Sequence, residues 1–155
     1  MPEKAILALS EAPSISVLIV LSVLMLVLII FSALISGSEV AYFSLDAKKR
    51  DALSSEKTNR GSRVLMLLEA PKKLLATILI ANNFINIAIV LFFASLSDLF
   101  FSGILTDYYG VNLRFIAEVG LVTFMILLFG EILPKVYATR KSAQFSVFMA
   151  YPLKF

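Results

Sequence analysis

The chain has 155 residues, of which 59% are hydrophobic and only 16% charged, and its mean hydropathy is +0.91. Soluble domains are about 45–50% apolar and about 25% charged, so this composition excludes an ordinary soluble enzyme, a disordered tail and a nucleic-acid-binding module. The chain also lacks Cys and His. This excludes thiolate and imidazole metal sites and a Ser-His-Asp triad within it, so any bound metal must accept oxygen ligands alone.

Three long apolar stretches follow one another along the chain. Residues 15–35 and 74–96 carry no charge, whereas the third stretch, residues 115–136, carries acidic and basic residues only near its ends. As a helix the first stretch is about 30 Å long, which matches the hydrocarbon thickness of a bilayer, and it is too long for a cleaved signal sequence. One such stretch is compatible with a buried soluble helix, but three predict an all-α integral membrane protein. The polar segment 46–73 predicts one or two short helices between the first two spans.

The positions of the basic residues predict the orientation. Twelve of the 14 lysines and arginines fall in residues 46–73 and after residue 134, which three spans place on one side. The positive-inside rule puts that side in the cytosol and the N-terminus outside. The predicted organisation is an extracytoplasmic segment 1–14, a transmembrane domain 15–136 and a cytosolic juxtamembrane segment 137–155. The basic residues orient the chain and contact anionic lipid, and nucleic acid is not an expected partner.

The first polar cluster lies near the inner end of span one. Ser32 and Ser36 are four residues apart and Glu39 follows three later, so they share a helix face. Gly37 lets the helix bend or a neighbour approach. Small-residue packing with an interfacial carboxylate is the alternative to a functional site.

The second cluster lies in span two. Asn82, Asn83 and Asn86 each bring an amide that lipid cannot satisfy. Either Asn82 or Asn83 shares a helix face with Asn86. The alternative to a binding site is hydrogen bonding between helices.

The third cluster combines Gly130, Glu131, Pro134 and Lys135. Proline cannot donate the helical hydrogen bond, so Pro134 is expected to free the carbonyl of Gly130 beside a buried carboxylate. Lys135 either reaches the membrane surface or pairs with an acid. A kinked helix end with an interfacial ion pair is the alternative.

The predicted directions of the spans place all three clusters in one layer near the inner surface. They offer hydroxyl, amide, carboxylate and backbone oxygens, a set that suits Mg²⁺ or Na⁺ and disfavours zinc and copper. The predicted ion site consists of oxygen-bearing residues from all three spans: Ser32, Ser36, Glu39, Asn82, Asn83, Asn86, Gly130 and Glu131.

Four stretches carry a family resemblance: SGSEVAYFSL at residues 36–45, NRG at 59–61, LLATILIANN at 74–83 and GEILPK at 130–135. In order and spacing they resemble the transmembrane (DUF21) domain of the CNNM/CorC proteins, which are linked to magnesium transport. The first stretch is similar to the gliding-motility-associated GldE branch. The resemblance implies three transmembrane helices, cytosolic juxtamembrane helices, a homodimer and a Mg²⁺ site between the helices. It also implies a cytosolic CBS pair as a partner domain beyond this chain.

The expected function is Mg²⁺ transport, with Na⁺-coupled export through an inward-facing cavity as the activity that the resemblance implies. Gly37 and Pro134 are expected to permit the rearrangement. The alternative is a non-transporting scaffold or Mg²⁺ sensor, such as an accessory subunit of a gliding or secretion complex. No nucleophile–base pair is recognisable, so the chain is not expected to be an enzyme.

Overall fold

The computed structural model describes residues 15–56, 58–101 and 113–154, and the regular elements in these residues are all helical. They are α1 (Ile15–Phe43), α2 (Ala47–Ser55), α3 (Asn59–Glu69), α4 (Pro71–Phe101), α5 (Leu113–Met125), a π-helical segment (Ile126–Ile132), α6 (Leu133–Arg140), α7 (Ser142–Met149) and a 3₁₀ turn (Pro152–Lys154). The predicted all-α class and the two short helices between the first spans are confirmed. The predicted outer segment 1–14 lies outside the described residues.

Three helical stretches are long and apolar enough to cross a membrane: Ile15–Phe43, Pro71–Ser97 and Leu113–Arg140. The third is built from α5, the π-helical segment and α6. Large apolar side chains cover their outer faces, and Ile80 and Phe84 are 70% and 73% exposed. Such a surface is unfavourable in water and favourable in hydrocarbon. The three predicted spans are therefore confirmed, and each helix extends beyond its uncharged core.

Side-chain caps fix the starts of the two short helices that follow α1. Asp46 Oδ1 accepts a hydrogen bond from the Lys49 backbone N–H at 2.8 Å, and Thr58 Oγ1 accepts one from Gly61 at 3.1 Å. Each cap satisfies one of the N–H groups that the first turn of a helix leaves free. Gly61 also permits close packing, because a Cβ there would lie 2.7 Å from the Leu53 carbonyl oxygen.

Two apolar clusters hold the bundle. The bundle core lies among the three spans and consists of Met25, Ile29, Ile89, Phe93, Val122 and Ile126. The short-helix core lies where the spans meet the short helices and consists of Tyr42, Leu45, Leu53, Val64, Leu74, Ile78, Met149 and Ala150. The helices α1 and α4 pass from one core to the other, whereas the third span contributes to the bundle core alone and α7 after it joins the short-helix core. The predicted polar residues occupy the interval between the two cores.

The C-terminal segment folds back onto α1. Tyr42 on α1 donates from its hydroxyl to the Ser146 carbonyl of α7 at 3.0 Å, and Met149 belongs to the short-helix core. The structure shows that α7 is packed into the domain, while Phe148 on its outer side is exposed.

Candidate functional site

A hydrogen-bonded network joins the three spans in the interval between the cores. Ser32 Oγ on α1 donates to Asn86 Oδ1 on α4 at 2.7 Å, and Asn86 Nδ2 donates to Glu131 Oε1 in the π-helical segment at 3.0 Å. Lipid cannot satisfy these groups, so they satisfy one another. The network brings together one residue from each polar cluster of the sequence.

The network orients oxygen atoms without using up their lone pairs. Ser32 uses its only hydroxyl proton toward Asn86, so its oxygen still has two lone pairs, and Asn86 Oδ1 keeps one. The carboxylate of Glu131 accepts at Oε1 and retains further acceptor sites. The three side chains are thus held in place and still offer oxygen ligands to a cation.

Gly130 allows the third span to approach α1 closely. A Cβ at this position would lie 2.8 Å from Ser32 Oγ, a separation that side chains do not tolerate without a shift. Because glycine has no Cβ, the backbone next to Glu131 comes into contact with the Ser32 hydroxyl. Gly130 therefore positions the network and is itself buried.

The third span widens where it carries Gly130 and Glu131. The segment Ile126–Ile132 is π-helical, and the N–H of Leu133 bonds the carbonyl of Leu128, five residues earlier. Single π-helical turns inside α-helices are often found at functional sites. The sequence predicted an irregularity at Pro134. The structure places it in the turn before this proline, which stands at the start of α6.

Two buried oxygens next to the network have no hydrogen-bond partner among the described residues: Ser36 Oγ and Asn82 Oδ1. Ser36 differs in this from Ser38, whose hydroxyl donates to the carbonyl of Leu34 at 2.7 Å. Buried polar atoms in proteins are nearly always paired, and an ion or water satisfies most of the exceptions. The two atoms are therefore available to a water molecule or to an ion.

Helix geometry relates the two unpartnered residues to the network. Ser36 follows Ser32 by four residues, and Asn82 precedes Asn86 by four. Since α1 and α4 run in opposite directions, both steps lead one turn, about 5 Å, toward the short-helix core. The unpartnered pair forms a second layer of oxygens beneath the network.

The other predicted carboxylate has a cation of its own. Glu39 Oε2 lies 3.1 Å from Lys135 Nζ, and both side chains are 36% exposed. This ion pair joins α1 to α6 on the short-helix side of the oxygen layers. Glu131 is therefore the one carboxylate within the network.

The sequence left open whether Gly37 bends α1 or admits a neighbour. The structure shows a neighbour at this position: Gly37 lies within the helix α1, and the ring of Phe145 on α7 lies 2.7 Å from where a Cβ would stand. Sequence reasoning missed Phe145, because nothing in the sequence links positions 108 residues apart. Asn83 is exposed and lines a cavity of about 260 Å³ together with Asn86, a member of the network. Its part in an ion site stays a prediction.

The donor set limits the kind of ion that fits. Within the described residues no group of three or more His, Cys, Asp or Glu side chains is placed to hold a metal. The available ligands are hydroxyl and amide oxygens with one carboxylate. Oxygen-only ligands suit hard cations such as Mg²⁺ and Na⁺, and a low ligand charge favours weak, reversible binding.

The fold and the site define a class of protein: an all-helical membrane domain with a layer of oxygen-bearing side chains between three spans. The sequence model of the Cyclin M transmembrane N-terminal domain family matches residues 23–155, so the chain belongs to this CNNM family. The family is associated in general with Mg²⁺ transport.

Two curated relatives agree with this assignment. The chain is 33% identical over 138 residues to a UPF0053 protein of Haemophilus influenzae, covering 86% of this chain and 30% of the relative. It is 31% identical over 130 residues to the UPF0053 inner membrane protein YfjD of Escherichia coli, covering 79% of this chain and 27% of that protein. The chain thus spans less than a third of the length of either relative.

Proposed function

We propose that this domain binds Mg²⁺ in the oxygen layers between its three spans and moves it across the bacterial inner membrane. The observation that carries the proposal is the pair of buried, unpartnered oxygens, Ser36 Oγ and Asn82 Oδ1, beside the Glu131 network. A cation is the ligand that an oxygen-only cluster with a carboxylate favours.

Each residue has a distinct part in the proposed binding. Glu131 supplies the negative charge, and Ser32, Ser36 and Asn82 supply neutral oxygens that replace part of the hydration shell. Asn86 positions the other two network residues, since its amide accepts a hydrogen bond from Ser32 and donates one to Glu131. Mg²⁺ gives up water reluctantly, so a partly hydrated ion fits this set best.

The surroundings of the site support an inward-facing cavity. On one side the bundle core separates the network from the outer ends of the spans with apolar side chains alone. On the other side the Glu39–Lys135 pair is partly exposed. We propose that the ion enters from the cytosol past this pair, that the π-helical segment rearranges, and that a Na⁺ gradient drives export.

The surrounding assembly is also part of the proposal. The N-terminus faces outward and the C-terminus the cytosol, two copies of the chain form a homodimer, and a cytosolic CBS pair of the same protein regulates it. In this proposal the protein acts as a transporter and not as an enzyme. The inner membrane location is supported by the Escherichia coli relative, which is named an inner membrane protein.

A second candidate function is a non-transporting scaffold or Mg²⁺ sensor. The observation that favours it is that Ser32, Asn86 and Glu131 already satisfy one another. Such a network joins helices, and each of its bonds contributes about 0.6–2 kcal/mol. The two candidates differ in whether Mg²⁺ crosses the membrane.

A flux measurement separates the two. The purified protein is placed in liposomes that contain a Mg²⁺ indicator, and a Na⁺ gradient is imposed. Transport predicts Mg²⁺ movement that depends on the gradient and is lost in Glu131→Gln, which removes the charge and keeps a side-chain oxygen for the Asn86 amide. Glu118→Gln is the matched control, because Glu118 pairs with Arg114 at the other end of the third span.

The outcomes are distinct. Flux in the unmodified protein and in Glu118→Gln, with loss in Glu131→Gln, supports transport. Mg²⁺ binding without flux supports the sensor. If the protein shows no Mg²⁺ binding and no Mg²⁺ flux, the ion-site proposal is contradicted.

A further inference from the structure

A basic cavity of about 240 Å³ lies where α6 meets α7, beside the start of α2. Its lining residues are Lys49, Arg140, Lys141, Ser142, Ala143 and Gln144. Three of the six carry a positive charge and none is acidic. Among the described residues, none of these three cations has a carboxylate within 4 Å.

Local contacts hold two of the cations in place. Lys49 Nζ donates to Ser142 Oγ at 3.0 Å, and Ser142 is buried with 1% of its surface exposed. The carboxylate of Asp46 accepts a hydrogen bond from the backbone N–H of Lys49, so Asp46 is engaged at the start of α2. Lys141 Nζ lies 5.5 Å above the ring of Tyr137, a cation–π contact. The positive charges are positioned by the fold.

The cavity also includes the start of a helix. Ser142, Ala143 and Gln144 form the first turn of α7, and no side chain caps this turn. The first N–H groups of a helix lack acceptors within the helix and favour an anion. The cavity therefore combines basic side chains with a helix start, a combination that suits a phosphate group.

An apolar cavity of about 300 Å³ adjoins the basic one. It shares Lys141 and Gln144 and is otherwise lined by Leu34, Tyr137, Phe145 and Phe148. A free phosphate ion or a nucleotide would leave this second cavity without a matching group. An amphiphile with a phosphate head and an apolar chain matches both.

The position in the fold agrees with such an amphiphile. Arg140 ends the third membrane-spanning helix, and Lys49 lies six residues after the first one ends at Phe43. The basic cavity thus lies at the level where the bundle leaves the hydrocarbon, which is the level of lipid headgroups. We propose that the two cavities together bind an anionic phospholipid, with the phosphate in the basic cavity and an acyl chain in the apolar one. This proposal does not depend on whether the domain transports Mg²⁺.

The test compares two variants with the same change in charge. One is Lys49→Gln/Arg140→Gln/Lys141→Gln, and the control is Lys48→Gln/Lys72→Gln/Lys73→Gln, which removes three exposed lysines outside the cavity. Each protein is reconstituted with phosphatidylglycerol or phosphatidylcholine, and the retained lipid is counted by native mass spectrometry after delipidation. Binding of phosphatidylglycerol should fall about 100-fold in the cavity variant, because each basic residue that faces the bound headgroup contributes about a factor of five. It should fall about fivefold or less in the control, because Lys48, Lys72 and Lys73 do not line the cavity.

Further arms decide the remaining outcomes. Phe148→Ala should weaken phosphatidylglycerol binding, and inorganic phosphate alone should not displace the lipid. Equal loss in both triple variants would overturn the proposal in favour of diffuse surface charge, and displacement by inorganic phosphate would overturn it in favour of a free-anion site. If the triple variant does not fold, Arg140→Gln decides alone, since Arg140 is exposed and its side chain makes no hydrogen bond or ion pair with the other described residues.

Discussion

Ser32 Oγ and Asn86 Oδ1 are 2.7 Å apart although 54 residues separate them in the chain. This bond fixes the register between α1 and α4, because both residues lie deep in apolar helices that would otherwise slide past each other. With the register fixed, Ser36 and Asn82 fall one turn further along the same two helices. The position of the two unpartnered oxygens is a consequence of this alignment.

Gly130→Ala should destabilise the domain by about 1–3 kcal/mol, because the new Cβ would lie 2.8 Å from Ser32 Oγ and force the helices apart. Thermal unfolding in detergent measures the change. Gly120→Ala is the matched control: nothing lies within 4 Å of its Cβ position, so the same substitution should be neutral or stabilise the helix by up to about 1 kcal/mol. Equal effects at both glycines would contradict the close approach.

Ser36→Ala should separate stability from binding. Its hydroxyl is buried without a partner, so in the absence of Mg²⁺ the variant should be as stable as the unmodified protein or about 1 kcal/mol more stable. Mg²⁺ affinity, measured by titration calorimetry, should fall. Ser32→Ala, which breaks the bond to Asn86, should instead lower stability by about 1 kcal/mol. A Ser36→Ala variant that binds Mg²⁺ normally would remove Ser36 from the site.

Asn82 and Asn83 are neighbours in sequence and should behave differently. Asn82→Ala removes a buried, unpartnered oxygen, and we expect the Kd for Mg²⁺ to rise about tenfold, equivalent to about 1.4 kcal/mol. Asn83→Ala removes an exposed side chain without a buried oxygen and should change the Kd less than twofold, within about 0.4 kcal/mol. The reverse order would show that the ion lies on the other face of the helix.

The Glu39–Lys135 pair should contribute little to stability. Both side chains are partly exposed, so a double-mutant cycle with Glu39→Gln and Lys135→Met should give a coupling energy of about 0.2–1 kcal/mol. Unfolding in detergent at low and high salt measures it, and salt should weaken it. If the pair instead gates the site, the same variants should alter the rate of Mg²⁺ flux more than the stability.

The spans could be predicted from the sequence, and so could the polar residues whose placement in hydrocarbon costs free energy. Stretches without charge are long enough to cross a bilayer as helices, so their length predicts the spans. Ser32, Asn86 and Glu131 stand out because hydrocarbon offers no partner for their hydrogen-bonding groups. Helical periodicity left Asn82 and Asn83 as equal alternatives, since each shares a face with Asn86. Only packing against α1 decides between them.

Other features depend on contacts that no local pattern encodes. Pro134 indicated an irregular helix, but the hydrogen bonds of the turn before it determine that the segment is π-helical. The contact between Gly37 and Phe145 and the bond between Lys49 and Ser142 join distant parts of the chain. Both appear only once α7 has folded back onto α1.

The most direct test of the ion-site proposal is an experimental structure determined at saturating Mg²⁺. The account predicts an ion with about six oxygen ligands at about 2.1 Å, with the Glu131 carboxylate, Ser36 Oγ and Asn82 Oδ1 among them or bridged to it by its waters. If Ser36 and Asn82 remain unpartnered at saturating Mg²⁺ and no ion lies beside Glu131, the central claim is wrong.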